Sequence, residues 1–252
     1  MIIGIDLDNT IIDYRDSFWL TAISTRIISE DDKKDFSFKK GISPSKSQIK
    51  HYLKSSKNSD FLWESLQGQV YGQYMHNAKI FPGFANFLLH CKSRGVKVFI
   101  VSHKTKFGHN DSSRTPLRET ALNFLRENNF LSDDYGINED NIFFFNTRKA
   151  KVNKIANLNC TYFIDDLPQV FEEVNFPQKT TKILFEPESK KLMIDTFNSW
   201  WRINENIFDK ISSSDISAYV EIAIKDKVKL VQNVKGRGNS NIYKIDMKSG
   251  KV

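Results

Sequence analysis

Residues Ile2–Ile5 form a short apolar run that stops abruptly at acidic residues. Such a run predicts a buried strand with Asp6 at its C-terminal end. From residue 11 to about 79 the pattern changes. Segments 16–28, 45–54 and 60–75 predict helices. Phe61, Leu62, Leu66 and Val70 recur at helical spacing, and Ser43-Pro44 suits a helix entry. No strand is predicted in this block, which reads as a separate helical lobe. Strict alternation follows. Phe84–Ser93 predicts a helix closed by Gly95, 96–101 a strand, 115–128 a helix, 141–145 a strand and 150–157 a short helix. Residues 161–164 predict a fourth strand running into Asp165-Asp166. Thr181–Phe185 predicts a fifth, followed by a helix to about 207. Alternation over this length implies βαβ units on a parallel sheet. Such sheets bind ligands beyond the C-terminal ends of their strands, which puts Asp6, Ser102 and Asp165 on one edge.

The tail from about residue 212 differs. Residues 227–234 and 241–247 predict two strands joined by Lys235-Gly236-Arg237-Gly238-Asn239-Ser240, a hairpin with a Gly-rich turn.

Composition narrows the classes. The chain has 252 residues, 40% apolar, 27% charged and 13% aromatic, enough for one large core or two modest ones and too ordered for wholesale disorder. No apolar run approaches the roughly 20 residues of a membrane helix, so no membrane partner is expected. The N-terminus meets Asp6 and Asp8 at once, unlike a signal peptide. Cys91 and Cys160 lie far apart without Cys or His neighbours at zinc spacing. That argues against disulfides and zinc, and makes a cytoplasmic location the expectation. Lys and Arg number 37 against 30 Asp and Glu. The excess suits an anionic small molecule, while the scatter of the basic residues disfavours nucleic acid.

The chemistry concentrates at strand ends. Asp6-Leu7-Asp8-Asn9-Thr10 places two carboxylates two residues apart after a buried strand. They repel unless something holds them, and a divalent cation such as Mg²⁺ is one solution. An acidic turn with an Asp helix cap is the other. Ser102 ends a strand, where its hydroxyl and backbone N–H could hold a phosphate oxygen or simply make a turn. Lys149, Lys151 and Lys154 sit in a helix start, which favours anions, so one of them serves the shared edge or all face solvent. Phe163-Ile164-Asp165-Asp166 repeats the pattern of strand followed by acid.

In this order the features resemble the haloacid dehalogenase superfamily: a strand with D-x-D-x-T, a strand ending in Ser or Thr, a Lys, and a strand ending in paired acids. Ile80-Phe81-Pro82-Gly83 is similar to the family's lead-in to its second motif, and the resemblance covers about residues 1–200. It implies an α/β fold, a Rossmann-like doubly wound parallel sheet with an inserted helical cap, extended here by a C-terminal hairpin. The core would be 1–13 with 80–204, the cap 14–79 and the extension 205–252. The resemblance implies a phosphatase in which Asp6 is the nucleophile forming an aspartyl-phosphate. Asp8 would be the general acid and base, a residue that dehalogenating members lack. Mg²⁺ would sit between the Asp6 carboxylate, the Asp8 carbonyl and Asp165, with Asp166 in support. Ser102 and Lys151, with Lys149 as alternate, would hold the phosphoryl group. Asn9 and Thr10 would orient the loop around the substrate.

Two further stretches bear on the substrate. Tyr14, Arg15, Phe18 and Trp19 follow the first motif and suit either substrate contact or core. The segment 103–110 carries two His, two Lys and a Gly directly after Ser102, with His103 and Lys104 the candidate substrate contacts. The tail 235–245 resembles the Gly-rich hairpin that opens small-molecule kinases of the aminoglycoside or choline phosphotransferase kind. That raises a fused or downstream kinase domain as a partner. The expectation is a Mg²⁺-dependent phosphatase acting on a small phosphorylated metabolite. Its rivals are a nucleotide or polynucleotide phosphatase, and a non-catalytic phosphometabolite-binding domain regulating a kinase.

Overall fold

A computed structural model describes residues 1–29, 31–32, 36, 43–189, 195–208, 213–234 and 242–250. The elements run β1 (Ile2–Ile5), β2 (Ile12–Asp13), α1 (Arg15–Ser24), α2 (Lys46–Leu53), α3 (Ser59–Tyr71), β3 (Lys79–Ile80), α4 (Phe84–Ser93) and β4 (Lys97–His103). They continue with α5 (Leu117–Glu127), β5 (Ile142–Phe145), α6 (Arg148–Asn157), β6 (Tyr162–Asp165), α7 (Pro168–Phe171), β7 (Thr181–Phe185), β8 (Thr196–Phe197) and α8 (Trp200–Ile207). The tail adds α9 (Ser213–Ile224), β9 (Val228–Val234) and β10 (Ile242–Met247).

Six strands form one sheet in the order β5-β4-β1-β6-β7-β8, with every pair parallel. The sheet is covered on both faces, which is why its strands read as continuous apolar runs. Alternate residues enter different cores. Ile100 and Ile164 join a cluster with Phe84, Phe87 and Trp200, whereas Val101 and Phe163 join Val152, Ile155 and Val170. Gly4 is needed for space, since a Cβ there would lie 2.6 Å from the Phe163 ring.

The inserted segment 14–79 holds α1, α2 and α3. Antiparallel pairing of Ile12 with Ile80 and Asp13 with Lys79 ties its two ends together. These two-residue strands correct the expectation of a strand-free block; they are too short to leave a periodic signal. Phe61, expected on the buried stripe, is exposed, and Trp63 packs inward instead, stacked on Phe18 at 5.4 Å between ring centroids. Helix α2 starts as Ser43-Pro44 suggests. Ser45 caps it, with Gln48 closing a reciprocal capping box.

Strand β4 runs on to His103, so Ser102 lies inside it rather than after it. Between β7 and α8 the edge strand β8 replaces part of the expected helix.

Part of the extension packs on the core. Phe208 is buried against Phe87, and α9 docks on α4. Asp215 is fully buried there, accepting hydrogen bonds from Ser93 Oγ and, at 3.1 Å, from Arg94 Nη2. The Gly-rich turn at 235–241 lies outside the described residues. Among the described residues no helix is long and apolar enough to cross a membrane.

Candidate active site

Three elements deliver their charged residues to the C-terminal edge of the sheet. Central strand β1 carries Asp6, its neighbour β6 carries Asp165 followed by Asp166, and α6 carries Lys151. Lys151 is 1% exposed, and its Nζ donates to Asp6 Oδ1 at 2.5 Å and to Asp165 Oδ2 at 2.6 Å. The other oxygen of Asp165 accepts from the Leu167 backbone N–H at 3.0 Å. One oxygen from each of Asp6, Asp165 and Asp166 lies within 4.8 Å of the others. Lys149, by contrast, is exposed.

Burial raises the Asp6 pKa well above the usual carboxylate range. Lys151 pulls it down, and Asp165, Asp166 and Asp8 push it up. Burial, then the charge of Asp165, pushes Asp166 up to about 7. Burial opposes the charge on Lys151, yet Asp165 and Asp6 outweigh it and hold the ammonium well above its ordinary value. The three carboxylates are thus short of positive charge even with Lys151 between two of them. An all-carboxylate set of oxygens fits a hard divalent cation such as Mg²⁺.

Asp8 has a separate retinue. Lys104 Nζ donates to both of its oxygens, at 2.9 and 2.8 Å, and Tyr14 Oη donates to Oδ1 at 2.7 Å. Lys104 and Tyr14 are both buried. Lys104, expected to touch substrate, is therefore occupied by Asp8 and borders a smaller side cavity of about 170 Å³. Asn9 holds the turn in the left-handed region, with φ 59°, and lines the main cavity. Thr10 is buried off the cavity wall; its carbonyl accepts from Trp200 Nε1 at 3.1 Å, and its Oγ1 has no partner. Ser102 is likewise buried at the end of β4 with an unpartnered Oγ. His103 is exposed on the cavity wall, with Nε2 3.0 Å from the Asn146 carbonyl oxygen.

The main cavity, about 800 Å³, joins the sheet edge to the inserted segment; its walls include Asp6, Asp8, Lys151, Asp166, Lys46 and Tyr71. Arg15 also lines it, paired with Asp13 at 2.5 Å, while Phe18 belongs to the core. Lys46, Gln67 and Tyr71 were not singled out in the sequence. For Lys46 a signal existed, since a lysine in the first turn of α2 opposes the helix dipole.

No protein-family model and no curated protein matches the chain. Solved structures are similar to it. Protein Tyrosine Kinase A (PtkA) of Mycobacterium tuberculosis aligns with a TM-score of 0.50 at 12% identity, over 82% of this chain and 97% of its own. A HAD-superfamily hydrolase of subfamily IA from Geobacter sulfurreducens aligns at 0.47 and 10% identity, over 82% and 96%. A HAD-superfamily hydrolase from Ehrlichia chaffeensis aligns at 0.40 and 17% identity, over 82% and 95%. At these identities the likeness is one of fold.

Proposed function

We propose that this chain is a cytoplasmic, Mg²⁺-dependent phosphatase that hydrolyses a small phosphate monoester through an aspartyl-phosphate on Asp6. The observation that carries the reading is the convergence of Asp6, Lys151, Asp165 and Asp166 from three elements, with Asp8 two residues on from Asp6 and held by Lys104 and Tyr14. Fold likeness alone would not suffice.

In this reading an Asp6 carboxylate oxygen attacks phosphorus, and the ester P–O bond breaks. Asp8 gives its proton to the leaving oxygen. It then takes a proton from the water that attacks the acyl phosphate, releasing inorganic phosphate and restoring Asp6. Lys104 and Tyr14 fix the direction in which the Asp8 carboxyl points. Lys151 offsets charge at Asp6, and the unpartnered Ser102 Oγ is a donor in reserve for a phosphoryl oxygen. Mg²⁺, when bound, would be held by Asp6, Asp165 and Asp166 and would neutralise phosphoryl charge. The inserted helices supply one wall of the cavity, through Lys46, Ser47, Gln67 and Tyr71.

The test is phosphate release from p-nitrophenyl phosphate with Mg²⁺ and with EDTA, for the natural chain and for Asp6→Asn. Turnover that needs Mg²⁺ and vanishes in Asp6→Asn supports the proposal. Near-normal turnover in Asp6→Asn overturns covalent catalysis by Asp6.

A further inference from the structure

The cationic side chains Lys151, Lys104, Arg15 and Lys46 border the two cavities at Asp8, and the protein itself neutralises the first three. Lys151 has Asp6 and Asp165, Lys104 has Asp8, and Arg15 has Asp13, each within 2.8 Å. Lys46 differs. Its Nζ donates to Tyr71 Oη at 2.9 Å and stands over the rings of Phe18 at 5.0 Å, Tyr71 at 5.6 Å and Trp63 at 6.0 Å. Among the described residues no carboxylate is within ion-pair distance of it. Burial works against its charge, yet Tyr71 and the more distant Asp166 and Asp8 hold its pKa above the ordinary lysine value. The aromatic faces and the Tyr71 hydroxyl hold the ammonium in place, but among the described residues no carboxylate neutralises it, which leaves its charge open to an anion from the cavity. It faces the cavity that holds Asp6 and Asp8.

We infer that Lys46 anchors an anion subsite on the inserted segment, and that the substrate is a small phosphate monoester carrying a second anionic group, a carboxylate or a second phosphate. This deepens the phosphatase reading and rests on it. The transferring phosphoryl group belongs at Asp6 beside Lys151, on the sheet edge. Lys46 comes from α2, across a cavity of about 800 Å³ that is far larger than a phosphoryl group. Tyr71 Oη, already bonded to Lys46, orients the ammonium, and its remaining two N–H groups are available to an anionic oxygen.

The test compares an isosteric pair of non-hydrolysable probes, 3-phosphonopropanoate and propylphosphonate, by calorimetry on the Mg²⁺-loaded full chain. The natural protein should bind the dianionic-plus-carboxylate probe about 10- to 100-fold more tightly, the range of a charge-assisted hydrogen bond. Lys46→Met, which keeps the stem, should abolish that preference, and Lys46→Arg should keep most of it. The melting temperature of Lys46→Met should change little, because the aliphatic stem beside the rings is kept. Equal binding of the two probes, no binding of either, a preference that survives in Lys46→Met, or a large fall in its melting temperature each overturns the subsite. The same proteins are assayed for phosphate release from phosphoglycolate and ethyl phosphate. A preference that depends on Lys46 without any phosphate release leaves the subsite standing and sinks the phosphatase reading instead.

Discussion

Lys151 sets the electrostatics of the candidate site, because its one ammonium serves two buried carboxylates while a third lies close by. Removing one partner of a buried ion pair leaves uncompensated charge, typically at a cost of about 3–5 kcal/mol. Lys151→Met should therefore lower the melting temperature of the metal-free protein markedly, and added Mg²⁺ should recover part of the loss. A melting temperature equal to that of the natural chain in EDTA would refute this account of Lys151. In the proposed mechanism Asp8→Asn keeps the nucleophile and removes the acid and base. Turnover should fall roughly 10²–10⁴-fold, and a hydroxylamine-sensitive phosphoenzyme should build up. The pH dependence follows from the raised carboxyls. Asp166 is pushed up to about 7 by burial and by Asp165, and Asp6 moves in the same direction. Their unfolded values lie near about 4. Each binds its proton more tightly when folded, so the stability they contribute is full below about pH 4 and is lost as pH rises towards 7. The half-buried Asp16 and the exposed Glu139, with lowered values, act in the opposite sense, but only as pH falls through 4 and below. In EDTA the melting temperature should thus fall between pH 5.5 and 8, and the increment from Mg²⁺ should be larger at pH 8. Equal increments at both pH values would contradict it.

At the scale of elements, the contact between α3 and the loop after β4 joins the inserted segment to the core beside Asp8. It depends on two glycines for space rather than conformation. A Cβ on Gly108 would lie 2.5 Å from Gly68 Cα, and one on Gly68 would lie 2.6 Å from Asp111 Cβ. Overpacking of this kind costs about 1–3 kcal/mol. Gly108→Ala should lower the melting temperature. It should also lower kcat/KM, because α3 carries Gln67 and Tyr71 to the cavity wall. A variant with natural stability and natural kcat/KM would show that the helix and loop separate freely. The same elements explain what the sequence could reveal. β1 matches its expected bounds because a strand buried on both faces is an unbroken apolar run bounded by polar residues, whereas β7 opens with exposed Thr181 and Lys182 and is marked by its Ile183–Phe185 half. β2, β3 and β8 have two residues each, too few for any period. Asp6 and Asp165 were legible because strand ends locate them on one edge; Lys151 was favoured among three neighbouring lysines only through the family resemblance, since local pattern does not say which of them turns inward. The role of Lys104 was not, since only the fold decides whether a long side chain reaches the substrate or Asp8. Lys46 lies more than 100 residues from Lys151 in the chain, and its unfavourable place in the first turn of α2 marks it out without saying which cavity it faces. Trp63 displaced Phe61 from the buried face because stacking on Phe18 decides the orientation of α3, which the spacing of apolar residues leaves open.

For the molecule as a whole, the Asp215 contact and the candidate site lie at opposite ends of the sheet. The C-terminus of α4 leads through Gly95 into the start of β4, at the edge away from Asp6. There α9 closes the core: Asp215 meets Ser93 and Arg94, with His90 Nε2 3.9 Å away, and the Tyr219 ring lies 5.3 Å from that of His90. Asp215 is wholly buried while Arg94 is about a quarter exposed, so part of the pair's attraction is screened. Asp215→Ala should cost about 1–3 kcal/mol, the range for losing buried hydrogen bonds to a charged group. In a chain of this size each kcal/mol lowers the melting temperature by roughly 2–4 °C. Removing residues 213–252 should lower it further, since it also uncovers the face of α4 that α9 shields. Phosphatase turnover at 20 °C, well below either transition, should stay near that of the full chain for Asp215→Ala, because no residue of α9 borders the Asp6 cavity. Stability and activity are thereby separable by distance along the sheet. Turnover that drops at 20 °C while the melting temperature holds would reverse the assignment, making α9 a partner of the site instead of a closure of the core.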